Sequence, residues 1–169
     1  SKPLFEGRQL ARSLAAAGLT VQYSLITAAA HAVKDATKVF VGAHAMMSNG
    51  RLYSRVGTAV VAMLAHERDL PVIVCCESVK FTERVALDSI VNNEVLPAEE
   101  LLSQGKVQPG GGLQREKELD RWREKDNLQL LNVMFDVTPA EYIKMVVTEH
   151  GCLPPSSVPV VHRIFSETA

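Results

Sequence analysis

Residues 38–81 constrain the fold more than any other stretch. Lys38-Val39-Phe40-Val41-Gly42 and Pro71-Val72-Ile73-Val74-Cys75-Cys76 are short apolar runs rich in β-branched residues. Between them Val56, Val60, Met63 and Leu64 recur at helical spacing. A strand–loop–helix–strand unit makes parallel strands through a right-handed crossover. The first run is apolar at consecutive positions, which predicts a strand packed on both sides. Gly42 ends that strand, and strand C-termini are where open α/β sheets form ligand crevices.

The flanking chain extends the alternation. Leu10, Leu14 and Ala17 predict a helix over residues 5–18, stopped by Gly18. Residues 19–26 (LTVQYSLI) read as a strand, and Thr27 as the N-cap of a helix through Ala36. Residues 46–53 read as a loop turning at Asn49-Gly50. Residues 96–102 allow one or two helical turns, and Gly110-Gly111-Gly112 is a flexible break. Residues 128–137 return to strand composition. Thr138, Pro139 and Glu141 look like a capping box for a helix over 140–150, ended by Gly151. Residues 158–165 read as a last edge strand, because Pro159 suits an edge or a strand start. Strands alternating with helices predict an α/β domain with a largely parallel sheet and helices on both faces. Residues 1–169 read as one such domain.

Composition excludes several partners. The chain has 169 residues and a net charge of -1. That balance offers no attraction to nucleic acid or to an anionic membrane. No apolar run reaches the roughly 18 residues of a membrane span. The cysteines, Cys75, Cys76 and Cys152, are odd in number and lack zinc spacing, so reduced thiols in the cytoplasm are expected. Neither a metal nor a cofactor is expected. The segment Arg115–Asp126 mixes signs and reads as a solvated loop, with Trp122 as the argument for a contact arm.

The candidate chemistry lies at the expected strand ends: His44, the 49–58 loop, Glu77-Ser78-Lys80 and Asp136. Arg55 and the amides of Gly57 and Thr58 stand near a helix start, which attracts anions. Histidine, with an unperturbed pKa of about 6.5, suits acid–base work, but no partner stands beside His44 in sequence. Asp136 precedes an expected helix start and reads as a cap or loop-ordering group. Glu77 and Lys80 pair with each other or bind a ligand; spacing does not choose.

Together, Gly42-Ala43-His44, Asn49-Gly50, Arg55-Val56-Gly57-Thr58 and Phe135-Asp136-Val137-Thr138-Pro139 resemble a known family. It joins sugar-phosphate isomerases, acting on methylthioribose-1-phosphate or ribose-1,5-bisphosphate, with the alpha, beta and delta regulatory subunits of eukaryotic initiation factor 2B. The resemblance runs from Glu6-Gly7-Arg8 to Ser156-Ser157-Val158-Pro159. Residues 75–84 and 156–161 are most similar to the delta-type members. The resemblance implies a Rossmann-like domain and a fragment, lacking an N-terminal helical domain and the first strands. The glycine run and the charged segment after it mark a flexible insertion over about 104–127.

Where the isomerases carry an acid–base aspartate after Gly-Ala, this chain has His44. Where they carry Asn-Lys before the Gly-Thr pair, it has Ser54-Arg55. Their catalytic cysteine lies upstream of the matched region, so Cys75 and Cys76 do not replace it. The resemblance thus implies no catalytic residue but a vestigial pocket of His44, Asn49, Gly50, Arg55, Gly57, Thr58, Glu77, Lys80 and Asp136. It implies partnership with the beta, alpha, gamma and epsilon subunits of initiation factor 2B. The substrate would be initiation factor 2, whose phosphorylated alpha subunit would be sensed.

Overall fold

The computed structural model describes residues 5–86, 93–102 and 121–166. The glycine run 110–112 and most of the expected insertion lie outside these residues. The first sheet is built from β1 (Val39–Gly42), β4 (Val72–Cys75), β7 (Met145–Thr148) and β8 (Gly151–Leu153), in the order β1-β4-β7-β8. β1, β4 and β7 are parallel, and β8 returns antiparallel to β7. The crossover from β1 to β4 carries α3 (Thr58–His66). This is the α/β class with parallel strands and flanking helices that the 38–81 pattern predicts.

One face of this sheet holds the core. Val41, Val74, Val146 and Leu153 lie side by side across the four strands. Ala62 and Ala65 of α3 close on Val72, with Val39 and Val41 beside them. Val158, at the start of α5 (Val158–Ser166), packs into the cluster of Met46, Leu52, Val74, Phe81 and Val146. Small alanines let α3 sit close to the β-branched row. The expected packing of β1 on both sides fails: Val39 and Val41 share one packed face, and Phe40, on the other, is 65% exposed.

A second sheet, of order β5-β2-β3-β6, was not legible in the pattern. It comprises β2 (Ala45–Met47), β3 (Leu52–Arg55), β5 (Phe81–Thr82) and β6 (Phe135–Thr138). Residues 46–53 are therefore a hairpin rather than a loop. The Asn49-Gly50 turn is where sequence placed it, but β3 is a strand because β6, about 80 residues away, pairs with it.

Other expectations fail for the same reason. Residues 19–25 form no strand, since nothing described pairs with them. Thr27 sits inside a 3-10 turn, Ile26–Ala28, and α2 shrinks to Ala29–Ala32. Within 96–102 the helical part is α4 (Glu99–Leu102), and within 128–137 the strand is β6, preceded by a single bridge between Val95 and Val133. The helix expected over 140–150 is absent. Thr138 closes β6, Pro139 stays extended with ψ 143°, and β-branched 145–148 become a central strand. The capping signal loses to pairing with β4, which buries Val146 completely. Residues 158–165 form α5, not a strand; Pro159 sits in its first turn, where a missing N–H costs nothing. At the front, α1 (Glu6–Ala16) follows its apolar spacing but buries no residue among those described.

The hairpin tip meets the rest of the molecule closely. Gly50 has φ 76°, and a Cβ there would lie 3.1 Å from the Pro155 carbonyl oxygen and 3.2 Å from its carbon. Backbone cannot swing aside as a side chain can. We expect Gly50→Ala to cost about 1–3 kcal/mol from strain and overlap together. Urea unfolding followed by circular dichroism checks this; an unchanged midpoint would show that the turn relaxes freely.

Candidate functional site

The C-terminal end of β1 leads directly into the candidate site. His44 donates its amide to the Tyr53 carbonyl at 3.0 Å, pairing it with β3. Its ring packs 4.6 Å from Phe135 and 5.7 Å from Tyr53, and Tyr53 stacks on Phe135 at 4.7 Å. Among the described residues no carboxylate is hydrogen-bonded to His44. The imidazole meets one ring edge-on and the other at a tilt, and among the described residues it is part of no acid–base pair. Ser54 donates its hydroxyl to the Gly42 carbonyl at 2.9 Å, tying β3 to the end of β1.

Arg55 and Asp136 follow from the β3–β6 register, in which Arg55 faces Phe135 and Ser54 faces Asp136. The Arg55 guanidinium lies 5.0 Å over the Phe135 ring and forks onto Glu6 at 3.1 and 3.2 Å. Asp136 Oδ2 accepts the amides of Gly57 at 2.7 Å and Ala59 at 3.0 Å, at the start of α3. Thr58 Oγ1 donates to the Arg55 carbonyl at 2.7 Å. Gly57 reaches this position with φ 100°, a conformation that a side chain resists. The helix start that sequence marked for an external anion is therefore filled by a carboxylate of the chain itself.

Asp136 is half-buried, and its other oxygen, Oδ1, is buried without a partner among the described residues. Burial raises its pKa above the ordinary 3.8, against the lowering effect of the Ala59, Gly57 and Thr58 amides. Thr138 Oγ1, two residues along β6, is also buried and unpartnered among the described residues.

The remaining expected residues lie in two other groups. Asn49 and Gly50 belong to the hairpin tip: Asn49 Nδ2 donates to the Ala86 carbonyl at 3.1 Å, and Gly50 abuts Pro155. Glu77 and Lys80 pair with each other at 3.4 Å across one 3-10 turn. Beside them stands a cluster that sequence reasoning missed, because the pattern over 140–150 puts Glu149 and His150 in a helix. Glu149 accepts the Ser78 amide at 3.0 and 3.1 Å and also the Ser78 hydroxyl. His150 Nε2 lies 3.3 Å from Ser78 Oγ and 3.5 Å from Glu149 Oε1.

Ser78 donates both its hydroxyl and its amide to Glu149, so the trio forms a clasp between the ends of β4 and β7. The Ser78 hydrogen bonds, foremost that of its hydroxyl, hold Glu149 down at about 2. Burial pushes the Cys76 thiol up to about 11, so it is a poor nucleophile. Cys75 and Cys152 are exposed free thiols. No group of three or more metal-ligating side chains exists among the described residues.

Two titrations test these contacts. The raised pKa of Asp136 means that its contribution is greatest below pH 3.8 and is lost as pH rises through the folded value. Asp136→Asn keeps an acceptor for the two amides, so its stability should gain on the parent as urea unfolding is moved from pH 4 to 7. Asp136→Ala removes the cap and should cost about 1–2 kcal/mol. For Glu149 the sign is opposite: its contribution is present above 4.5 and lost as pH falls toward about 2. Glu149→Gln should flatten the acid limb of the stability profile in that window; an unaltered limb would remove the clasp.

The "Initiation factor 2 subunit family" model matches residues 1–155. The chain is 43% identical to "Translation initiation factor eIF2B subunit delta" of Schizosaccharomyces pombe, over 99% of this chain and 35% of that protein. It is 33% identical to "Ribose 1,5-bisphosphate isomerase" of Pyrococcus furiosus, over 92% of this chain and 44% of that one. The chain thus spans less than half the length of these relatives. A solved "tetrameric eIF2B-beta2-delta2 complex from C. thermophilum" aligns with TM-score 0.62 and 32% identity, over 85% of this chain and 38% of that chain. With most of its length matched by the family model, this chain belongs to the Initiation factor 2 subunit family.

Proposed function

We propose that the chain is the C-terminal α/β portion of a delta-type regulatory subunit of the exchange factor for translation initiation factor 2. The carrying observation is the gap between 43% identity to a delta subunit and 33% to an isomerase, over nearly the same residues. The geometry supports it. Two groups that would grip a sugar phosphate, Arg55 and the α3 amides, are engaged by Glu6 and Asp136. His44 stands where the isomerases carry an aspartate, and it packs on aromatic rings. The nine residues of the expected pocket fall into three separate contact groups, so we read them as a vestigial site with isomerase chemistry lost.

In this reading the subunit acts through surface and shape. It pairs with a homologous beta subunit, as beta and delta chains do in the C. thermophilum beta2-delta2 tetramer. The wider assembly includes the alpha, gamma and epsilon subunits in the cytoplasm. It engages initiation factor 2 and senses the phosphorylated alpha subunit of that factor.

Affinity purification of the full-length protein tests this. A defined hetero-oligomer with the beta subunit is expected, and a protein that elutes alone in every preparation would sink the reading. The isomerase relatives keep a second reading in view. NMR of ribose-1,5-bisphosphate incubated with the full-length protein should reveal no ketose; turnover lost on His44→Ala would favour the enzyme instead.

A further inference from the structure

A cavity of about 480 Å³ opens at the N-terminal ends of β4 and β7, the opposite end of the parallel strands from His44 and Ser78. Its floor is fixed. Val72 and Ile143 are buried, and the Lys144 amide donates to the Val72 carbonyl at 2.9 Å. Its rim comes from two turns. Glu141 and Tyr142 belong to the 3-10 turn between β6 and β7, and Asp69 to the turn between α3 and β4. The Tyr142 ring packs 4.9 Å from that of His66, the last residue of α3.

The charged groups here differ from those at the other end. Arg55, Asp136, Glu77 and Glu149 are each engaged inside the chain. Asp69, Glu141 and Lys144 are exposed, and their side chains make no hydrogen bond or ion pair among the described residues. Asp69 also holds φ 54°, a helix-ending conformation that usually falls to glycine.

Sign and shape select the ligand. Two carboxylates stand against one ammonium, and the carbonyl end of α3 adds partial negative charge, so the balance favours a cation. An aromatic wall suits a planar, weakly hydrated cation. Guanidinium is one, and it meets a carboxylate through two parallel hydrogen bonds. Lys144 leaves a place for a carboxylate on the same ligand. We propose that the cavity binds a guanidinium joined to a carboxylate, as in free arginine or an arginine at the C-terminus of a chain. The guanidinium lies on Tyr142 within reach of Asp69 and Glu141, and the carboxylate meets Lys144. The volume falls within the range of about 300–1,000 Å³ that small-ligand sites occupy. Sugar phosphates and nucleic acid are disfavoured, because their phosphates would meet two unpaired carboxylates. This end of the sheet plays no part in the regulatory reading, so the two stand or fall separately.

Titration calorimetry of the full-length protein with L-arginine and with the tripeptide Gly-Gly-Arg tests it. Saturable binding is expected, and the tighter of the two tells whether the free amino acid or a chain end is the source. Agmatine, which lacks the carboxylate, and L-lysine, which lacks the guanidinium, should both bind more weakly than L-arginine. Asp69→Gly and Tyr142→Leu should each weaken binding about tenfold, whereas Tyr142→Phe keeps the ring and should bind as the parent does. Glycine suits φ 54°, so Asp69→Gly should keep or raise the urea midpoint, which separates lost affinity from a lost fold. No heat of binding from either ligand overturns the proposal. So does affinity that survives both Asp69→Gly and Tyr142→Leu.

Discussion

The carboxylate of Asp136 is the contact on which the arrangement depends. It leaves β6 in the second sheet and closes on the Gly57 and Ala59 amides of α3, which packs on the first sheet. One side chain thus fixes the helix start and joins the two sheets. A helix start needs acceptors for its free amides, and a charge-assisted bond supplies them more strongly than a neutral one. The same bond removes the site where an external anion would dock.

The other engaged groups differ in strength. The Arg55–Glu6 pair is partly exposed, with side chains 33% and 58% accessible. Such a pair contributes at most about 1 kcal/mol and yields to a competing anion. Asp136 sits deeper, and displacing it would strand a carboxylate whose second oxygen already lacks a partner among the described residues. Of the two contacts, that of the aspartate is the firmer. His44 is held differently, by packing against Phe135 and Tyr53, with no carboxylate hydrogen-bonded to it among the described residues.

Legibility followed sequence distance. α1, α3, β1 and β4 were readable because their signals lie within one element: helical spacing, β-branched runs, and Gly42 or Pro71 at the boundaries. The hairpin, β7 and α5 were not. Residues 145–148 sit in a stretch with good helical caps, and their fate was decided by β4, about 70 residues earlier. The candidate site divided in the same way. His44, Arg55, Gly57 and Asp136 stand out in the sequence and do meet around Phe135 and the start of α3, whereas Glu77, Lys80, Asn49 and Gly50 lie in other groups. Glu149 and His150 escaped notice because a clasp formed across two strand ends has no local signature.

The residues alone determined the α/β class, the parallel crossover from β1 to β4 and the turn at Asn49-Gly50. Each is a matter of nearby residues and their intrinsic preferences. Tertiary structure decided which segments became strands, which carboxylate caps α3, and which of the marked residues share a site. Those outcomes rest on partners far apart in sequence, whose pairing outweighs local preferences of about 1 kcal/mol or less per residue.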